Sequence, residues 1–586
     1  MAKMFNLLGK LDRTQRMLVK ENNFWIDTPI YEDLSQSQLI FKGEIYNLNE
    51  LKRDLNNVRS ENNIQRVLVE YLEKYGMEAL LSKINGIFAM AYFDVKKHVL
   101  YLVRDHAGIF PLYYYRTSDG IMFSSEVKMF LNNGVAPVLS YEGVFSYLAN
   151  QSAQEPYTLI DGIMALGPGE MIKYSDNMFE VKSYWNPADR IGNTVKYDDF
   201  DVAGEKLKDL LQSAISMRDN SIHKSGILLS GGIDSSAIVA ITRLLNPESD
   251  IHSFTVTHEN KRFDESIYAG LVAKKNSTIE HELHVTEELI GKGIFEALDI
   301  ADQPSVDGVN SYFSSKLIKE CGFDSVVSGL GGEFFVEDDA TAFLGLKKKY
   351  DLLTKFPKGV ATVLDKHTNN KKIRYAAMLM KSEDAFFAYL RLLSDGQIKK
   401  IVSGDLYHIN KDRLDAWHKV AYNHLVMEAK TLPDIIAKKY FYESRTWHVS
   451  TLLKDVMQNS VKQGVMPSFP LMDYHLIEYL FHLPISSKAD FKTSKVHLVN
   501  AAKGRIPSEC IYRKKLGFVF PFGDYFKGVL WDEMENFFVG GGASEFFNIA
   551  YLKQVWKDFC EGTESWAVIW KLYVLNRWIK QYSIQL

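Results

Sequence analysis

The residues GILL at 226–229 form an apolar run that stops at Ser230-Gly231-Gly232-Ile233-Asp234-Ser235-Ser236, after which a second apolar run, AIVAITRLL, begins. A loop of this composition concentrates the means of holding an anion. Glycines let the backbone approach a ligand closely. Successive N–H groups and the N-terminus of a following helix supply partial positive charge. Serine hydroxyls add donors. An acid inside a phosphate loop needs a cation beside it, which makes Asp234 a candidate Mg²⁺ ligand. The alternative is an ordinary strand–turn–helix junction with a serine cap. The complete Ser-Gly-Gly-x-Asp-Ser string after an apolar strand is more specific than two glycines alone, and the lysine of the GxxxxGK[ST] phosphate loop is absent.

The elements around the loop must bring it to the edge of a sheet. GILLS reads as a buried parallel strand, with a helix from Ser235. Before it, a polar, turn-rich stretch at 186–200 is the candidate linker and 201–217 a helix. After it, HSFTVT, a helix near 265–275 and the strand DSVVS continue the alternation, which predicts a parallel sheet with helices on both faces. Ligands bind such sheets beyond the strands' C-terminal ends. Past about 340 the pattern is mostly helical and aromatic-rich. Residues 1 to about 185 instead read as strands, among them QLIFKGEIYNL, GIFAMAYFDVKKHVLYLVRD and GIFPLYYYRTSDGIMFSSEV, with a helical interruption at 64–76. That is an α+β layout rich in antiparallel sheet.

At 586 residues the chain exceeds one hydrophobic core, so several domains are expected. A net charge of -4 gives no strong pull toward nucleic acid or anionic membranes. Cys321, Cys510 and Cys560 are too dispersed for a CxxC zinc pair or a disulfide framework, and a reducing cytoplasm is expected. The first residues lack a signal-peptide core, and no window reaches the roughly 18 apolar residues that span a bilayer.

The SGGIDSS string resembles the pyrophosphate loop of the N-type ATP pyrophosphatases. Further stretches resemble asparagine synthetase and its relatives, in order, over nearly the whole chain. FKGEIYNLNELK, RDHAGIFPLYYY and FSSEVKMFL are similar to that family's first half; HSFTVTHENKRFDESIYAGLVAKK, DQPSVDGVNSYFSSKLIKECGFDSVVSGLGGEFF, PSFPLMDYHLIEYLFHLP and IYRKKLGFVFPF are similar to its second. The resemblance implies an N-terminal nucleophile-type αββα sandwich over residues 1–188, glutaminase-like. It implies a parallel-sheet synthetase domain of the adenine-nucleotide α-hydrolase-like kind over 200–586, with a helical C-terminal part. It further implies ATP and Mg²⁺. Ser230 to Ser236 would hold pyrophosphate, Val256 would lie near adenine, and Ser328, Gly329, Gly331 and Gly332 match a second nucleotide loop. Asp234 and Glu333 would be metal ligands, Glu333 replacing the usual aspartate, and Lys515 would offset negative charge in the transition state, with Lys514 as rival.

Departures from the family pattern set the functional expectation. The family's glutaminase nucleophile is a cysteine next to the initiator methionine. Ala2 stands second here, Phe5 fills the place in the better register, and no cysteine precedes Cys321. The oxyanion asparagine is replaced by Lys42, and the glutamine-binding R-G-P-D segment has no counterpart. A first domain without glutaminase activity is therefore expected. Leu330 stands where relatives carry a catalytic glutamate or tyrosine, and Phe334 replaces another acid. Asp302, Asp307 and Asp473 read as helix caps or structural partners, and His281 as an interior histidine. The leading expectation is an ATP-dependent ligase that adenylates a small-molecule or peptide carboxylate for attack by an amine or ammonia. Like β-lactam synthetase and the lasso-peptide cyclases, it would belong to specialised biosynthesis, and a precursor peptide and leader peptidase are the implied partners of the cyclase version. Amidation of an amino acid or sugar acid is the nearest alternative, and a non-catalytic nucleotide- or partner-binding protein is the rival of a different class.

Overall fold

The computed structural model describes residues 8–12, 17–21, 24–27, 37–56, 63–118, 120–175, 178–190, 199–219, 225–259, 264–335, 392–413, 440–490, 492–513 and 520–586. Among the described residues of the first half there are eleven strands: β1 (Leu8–Asp12), β2 (Met17–Glu21), β3 (Phe24–Asp27), β4 (Gln38–Ile45), β5 (Gly86–Asp94), β6 (Val99–Arg104), β7 (Tyr113–Thr117), β8 (Gly120–Ser124), β9 (Ile163–Ala165), β10 (Glu170–Ser175) and β11 (Met178–Ser183). They make two antiparallel sheets, in the orders β3-β2-β1-β8-β7-β9 and β11-β10-β6-β5-β4.

The two-residue period of a strand explains how these sheets layer. Ile40, Ile87, Ala89, Ala91, Phe93, Leu100 and Leu102 face one way and share a core with Ile121 and Phe123 of the other sheet. Their neighbours Leu39, Phe41, Phe88, Met90 and Tyr92 face the other way, onto helices α1 (Leu48–Asp54), α2 (Ile64–Tyr75) and α3 (Met77–Leu81). Across the first sheet, Met122 and Tyr113 pack on α4 (Val127–Leu131) and α5 (Tyr141–Ala149). The result is the αββα sandwich that the family resemblance implies, with the helix expected at 64–76 in place.

The second half holds a parallel sheet of β12 (Ser225–Leu228), β13 (His252–His258), β14 (Ile279–Val285), β15 (Ser325–Val327) and β16 (Met466–Ser468), in the order β14-β13-β12-β15-β16. Helices α6 (Phe200–Asp219), α7 (Ile233–Leu245), α8 (Ser266–Asn276), α9 (Glu287–Ile300) and α10 (Gly308–Glu320) accompany it. Ile227 packs with Leu207, Leu211, Ile238 and Val272 on one face, and Phe254 and Val326 with Leu317 and Ile318 on the other, so both faces are covered. The strand order reverses between β12 and β15. The loops leaving these two strands therefore open onto one crevice, the place where doubly wound sheets bind ligands.

Side chains from the two halves satisfy one another. Asp302 accepts the Val127 and Lys128 N–H groups at the start of α4, at 2.7 and 2.9 Å. Asp473 Oδ2 accepts from Asn85 Nδ2 at 2.9 Å and pairs with Arg218 at 3.2 Å, with both charged side chains 3% exposed. These acids are structural partners, as their positions beside helix starts suggested.

Candidate nucleotide site

The loop after β12 is shaped by its own small residues. Gly231 has φ +70°, a conformation side chains disfavour, and a Cβ there would lie 2.6 Å from Ala269 N. Ser235 Oγ accepts from Ser230 N and donates to Gly232 O, both at 3.2 Å, and Gly232 N–H donates to Ser230 Oγ at 3.3 Å. The serines thus preform the loop before any ligand arrives. Helix α7 starts at Ile233 with Gly232 as its cap, two residues before the expected Ser235. Asp234 consequently sits in the first helical turn. Ser236 is fully buried, and its Oγ has no hydrogen-bond partner among the described residues.

The loop after β15 closes against the first. A Cβ on Gly329 would lie 2.9 Å from Ser235 N, and one on Gly332 would collide with the Asp234 carboxylate. Gly331 has φ +100° and leaves 2.8 Å between an added Cβ and Met472 Sδ. Glycine is therefore required at 329 and 331 by the approach of the neighbouring backbone, and a side chain at 332 would displace the Asp234 carboxylate. Ser328 is buried, and its Oγ accepts from Leu330 N at 3.3 Å. Leu330 is half-buried and packs on the main core, so an alkyl group fills the place of an acid.

Paired with the acid of the first loop is a cation that no sequence motif singles out. Lys495 Nζ donates to both oxygens of Asp234 at 2.7 Å, with side-chain exposures of 4% for the lysine and 16% for the acid. Lys495 has φ +51° and precedes the helix Val496–Ala501. A non-glycine residue in the left-handed region is uncommon and often marks a functional constraint. Nothing in TSKVHL signals this role, because the contact spans 261 positions.

Glu333 Oε2 accepts the Gly331 N–H at 3.1 Å and lies 3.4 Å from His448 Nε2, an ion-pair separation without hydrogen-bond alignment. His448 Nδ1 lies 3.1 Å from Glu443 O, and its ring is 5.6 Å from that of Phe334. Burial works against the imidazolium, but Glu333 and Glu443 outweigh it and the His448 pKa is raised.

Val256 lies on β13 opposite Leu283 and is half-buried. Its neighbour Thr255 donates to Leu229 O at 2.9 Å, which ties that strand to the mouth of the first loop. Lys42 is half-buried on β4 opposite Ala89, next to Gly43 at φ +121°. Lys515, Lys514, Ala2 and Phe5 lie outside the described residues. His281 is half-buried against Phe254 and lies 2.9 Å from His252 through Nε2 and Nδ1. Asp307 is driven up to about 6 by burial, against the Asn310 amide hydrogen bond.

The donor set accords with a metal that arrives with a nucleotide. Among the described residues no group of three or more His, Cys, Asp or Glu could hold an ion alone. Mg²⁺, however, takes one or two carboxylates and completes its shell with phosphate oxygens and water. Asp234 and Glu333, on two touching loops, supply that number, and Asp234 already attracts a cation in Lys495. No helix among the described residues is long and apolar enough to cross a membrane.

Residues 206–580 match the family model described as asparagine synthase, and residues 15–185 match the glutamine amidotransferase domain. Two curated relatives come from Bacillus subtilis (strain 168). Asparagine synthetase (glutamine-hydrolyzing) 1 is 24% identical over 567 residues, 94% of this chain and 86% of that protein. Asparagine synthetase (glutamine-hydrolyzing) 3 is 23% identical over 499 residues, 81% and 74% respectively.

Proposed function

The chain belongs to the asparagine synthase family, and we propose that it is an AMP- and pyrophosphate-forming amide ligase whose nitrogen does not come from glutamine hydrolysed in its own first half. The observation that carries this reading is the meeting of the two glycine-rich loops at the strand-order reversal, with Asp234 against the second loop and Lys495 paired to it.

The first loop binds the pyrophosphate end of ATP through its backbone N–H groups, the hydroxyls of Ser230, Ser235 and Ser236, and the start of α7. Ser328, Gly329 and Val256 line the same crevice toward the nucleoside. A Mg²⁺ ion held by Asp234 and Glu333 would neutralise phosphate charge. The substrate carboxylate attacks the α-phosphorus, the bond to the bridging oxygen breaks, and pyrophosphate leaves. Lys495, already in the site, and Lys515 are the cations that offset the developing charge. The amine nitrogen then attacks the acyl-adenylate carbonyl, AMP departs and a proton is released.

The first half keeps its sandwich, but the sequence holds no cysteine before Cys321 and Lys42 replaces the oxyanion asparagine. The nitrogen is then an amine on the substrate itself, closing a lactam, or ammonia or a separate amine. A peptide macrolactam is favoured among these, which makes a precursor peptide and a leader peptidase the partners. The division near residues 188–200 separates scaffold from synthetase.

The test is release of pyrophosphate and AMP from Mg·ATP across carboxylate and peptide substrates, with wild type beside Asp234→Ala. Substrate-dependent AMP release that vanishes in the variant supports the ligase. Absence of ATP binding by calorimetry overturns it in favour of a partner-binding protein.

A further inference from the structure

We propose that His448 is a positioning residue for Glu333, and that the first half of the chain sets its position through the helix that carries it. The inference rests on the reading of Glu333 as a ligand of the nucleotide's metal.

Residues Ser444–Leu453 form a π-helix. A π-helical stretch this long is rare, since π geometry appears mostly as single turns, often at functional sites. It persists only where surrounding bonds hold it open. Several come from the first half of the chain. Arg445 Nη1 donates to Pro168 O at 3.2 Å, the Glu155 N–H donates to Ser450 Oγ at 3.4 Å, and Thr451 Oγ1 shares a 2.6 Å hydrogen bond with Ser152 Oγ. Within the helix, Ser450 Oγ donates back five residues to Arg445 O at 3.0 Å. All of these groups belong to buried or half-buried residues, where a broken bond is costly.

The same helix presents His448 to the second loop. His448 is 4% exposed, 3.4 Å from Glu333 Oε2, and its ring lies beside Phe334. A glutamate has one more rotatable bond than the aspartate usual at this place, so its carboxylate needs more support to stay aimed. Gly331 N–H supplies one contact and His448 the second, both to the same oxygen. Outer-shell partners of this kind orient metal ligands. A continuous path thus runs from Ser152 and Pro168 through the π-helix to Glu333. It gives a first half without a nucleophile a task in the synthetase reaction.

The experiment measures Mn²⁺ affinity by electron paramagnetic resonance in the presence of α,β-methylene-ATP, together with the affinity of that nucleotide alone and the melting temperature. It uses the full chain as wild type, His448→Phe, His448→Gln, Thr451→Val and Asp234→Asn. The expected result is a loss of about tenfold in Mn²⁺ affinity for His448→Phe. Most of it should be recovered in His448→Gln, with a smaller loss in Thr451→Val and nucleotide affinity without metal unchanged. Wild-type Mn²⁺ affinity in His448→Phe overturns the inference, as does a lowered melting temperature with no change in affinity. If His448→Phe does not fold, His448→Gln and Thr451→Val decide: equal affinities with wild type in both overturn it. If Asp234→Asn also binds Mn²⁺ like wild type, it is the reading of the site itself that fails.

Discussion

Replacing Lys495 with methionine removes the ammonium and keeps most of the side-chain volume. Both oxygens of Asp234 lose a 2.7 Å donor, and the acid stays behind with only 16% of its side chain exposed. Breaking a buried pair by deleting one partner costs about 3–5 kcal/mol, because the remaining charge is uncompensated. Asp234 keeps an edge to solvent and sits at a helix N-terminus, which favours a negative charge. Both place the expected loss at the lower end, about 3 kcal/mol. Adding Asp234→Asn to Lys495→Met removes the negative charge that the lysine had balanced, so the double variant should recover most of the loss, with a coupling of about 2 kcal/mol. The assay is the first urea transition of the four proteins at neutral pH in the presence of α,β-methylene-ATP, with and without Mn²⁺. Mn²⁺ should stabilise Lys495→Met more than wild type, because the ion takes over the vacated position. A coupling below about 0.5 kcal/mol, a value typical of exposed pairs, would refute the argument that this is a buried, structurally committed pair. Equal Mn²⁺ responses would refute the claim that the lysine occupies a cation's place.

Burial raises the Asp455 pKa from 3.8 to about 7, with Lys454 and the Ser305 hydroxyl lowering it in part. The folded protein therefore holds this proton between those values, and the stabilisation is complete below pH about 4 and lost as pH rises through about 7. Asp455→Asn should flatten the fall in stability over that range and exceed wild type above it by up to about 4 kcal/mol; parallel curves in urea titrations at several pH values would show the acid ionised and paired with Lys454 instead. Gly231→Ala forces a Cβ to within 2.6 Å of Ala269 N at φ +70° and should lower ATP affinity by about tenfold or more in calorimetry, while far-UV circular dichroism stays unchanged. Gly322 also has positive φ, at +79°, but a Cβ there meets nothing within 4 Å, so Gly322→Ala serves as the control with intact ATP binding.

What the sequence discloses follows how local each signal is. SGGIDSS carries its strand, turn and helix within one short window, and the apolar alternation of β4, β5 and β6 marks both faces of its sheet. The start of α7 is displaced because glycine, not serine, caps it. β14 escapes pattern reading because it is a sheet edge: IEHELHV is exposed or half-buried until its last residue and offers no apolar face. β16 is three residues long, too short for any periodicity. Lys495 and His448 are invisible for a different reason. Each acts on a loop more than a hundred positions away, and no spacing rule connects them to it. The loops that carry Asp234 and Glu333 are legible because they have a composition that few other structures need.

Asp473 bears on whether this protein can be taken apart. Its carboxylate serves Asn85 from one half, Arg218 from the other, and the His475 N–H that opens its own helix. Asp302 likewise spends both oxygens on α4. A gene cut between the halves would take Asn85 from Asp473 and the α4 N–H groups from Asp302, and would expose an apolar wall where residues of the two halves share one core. The surviving fragment would have to refold that wall or aggregate through it. The enzyme is thus a single unit of expression and engineering, and a truncation meant to isolate its synthetase must rewrite these acids along with the cut.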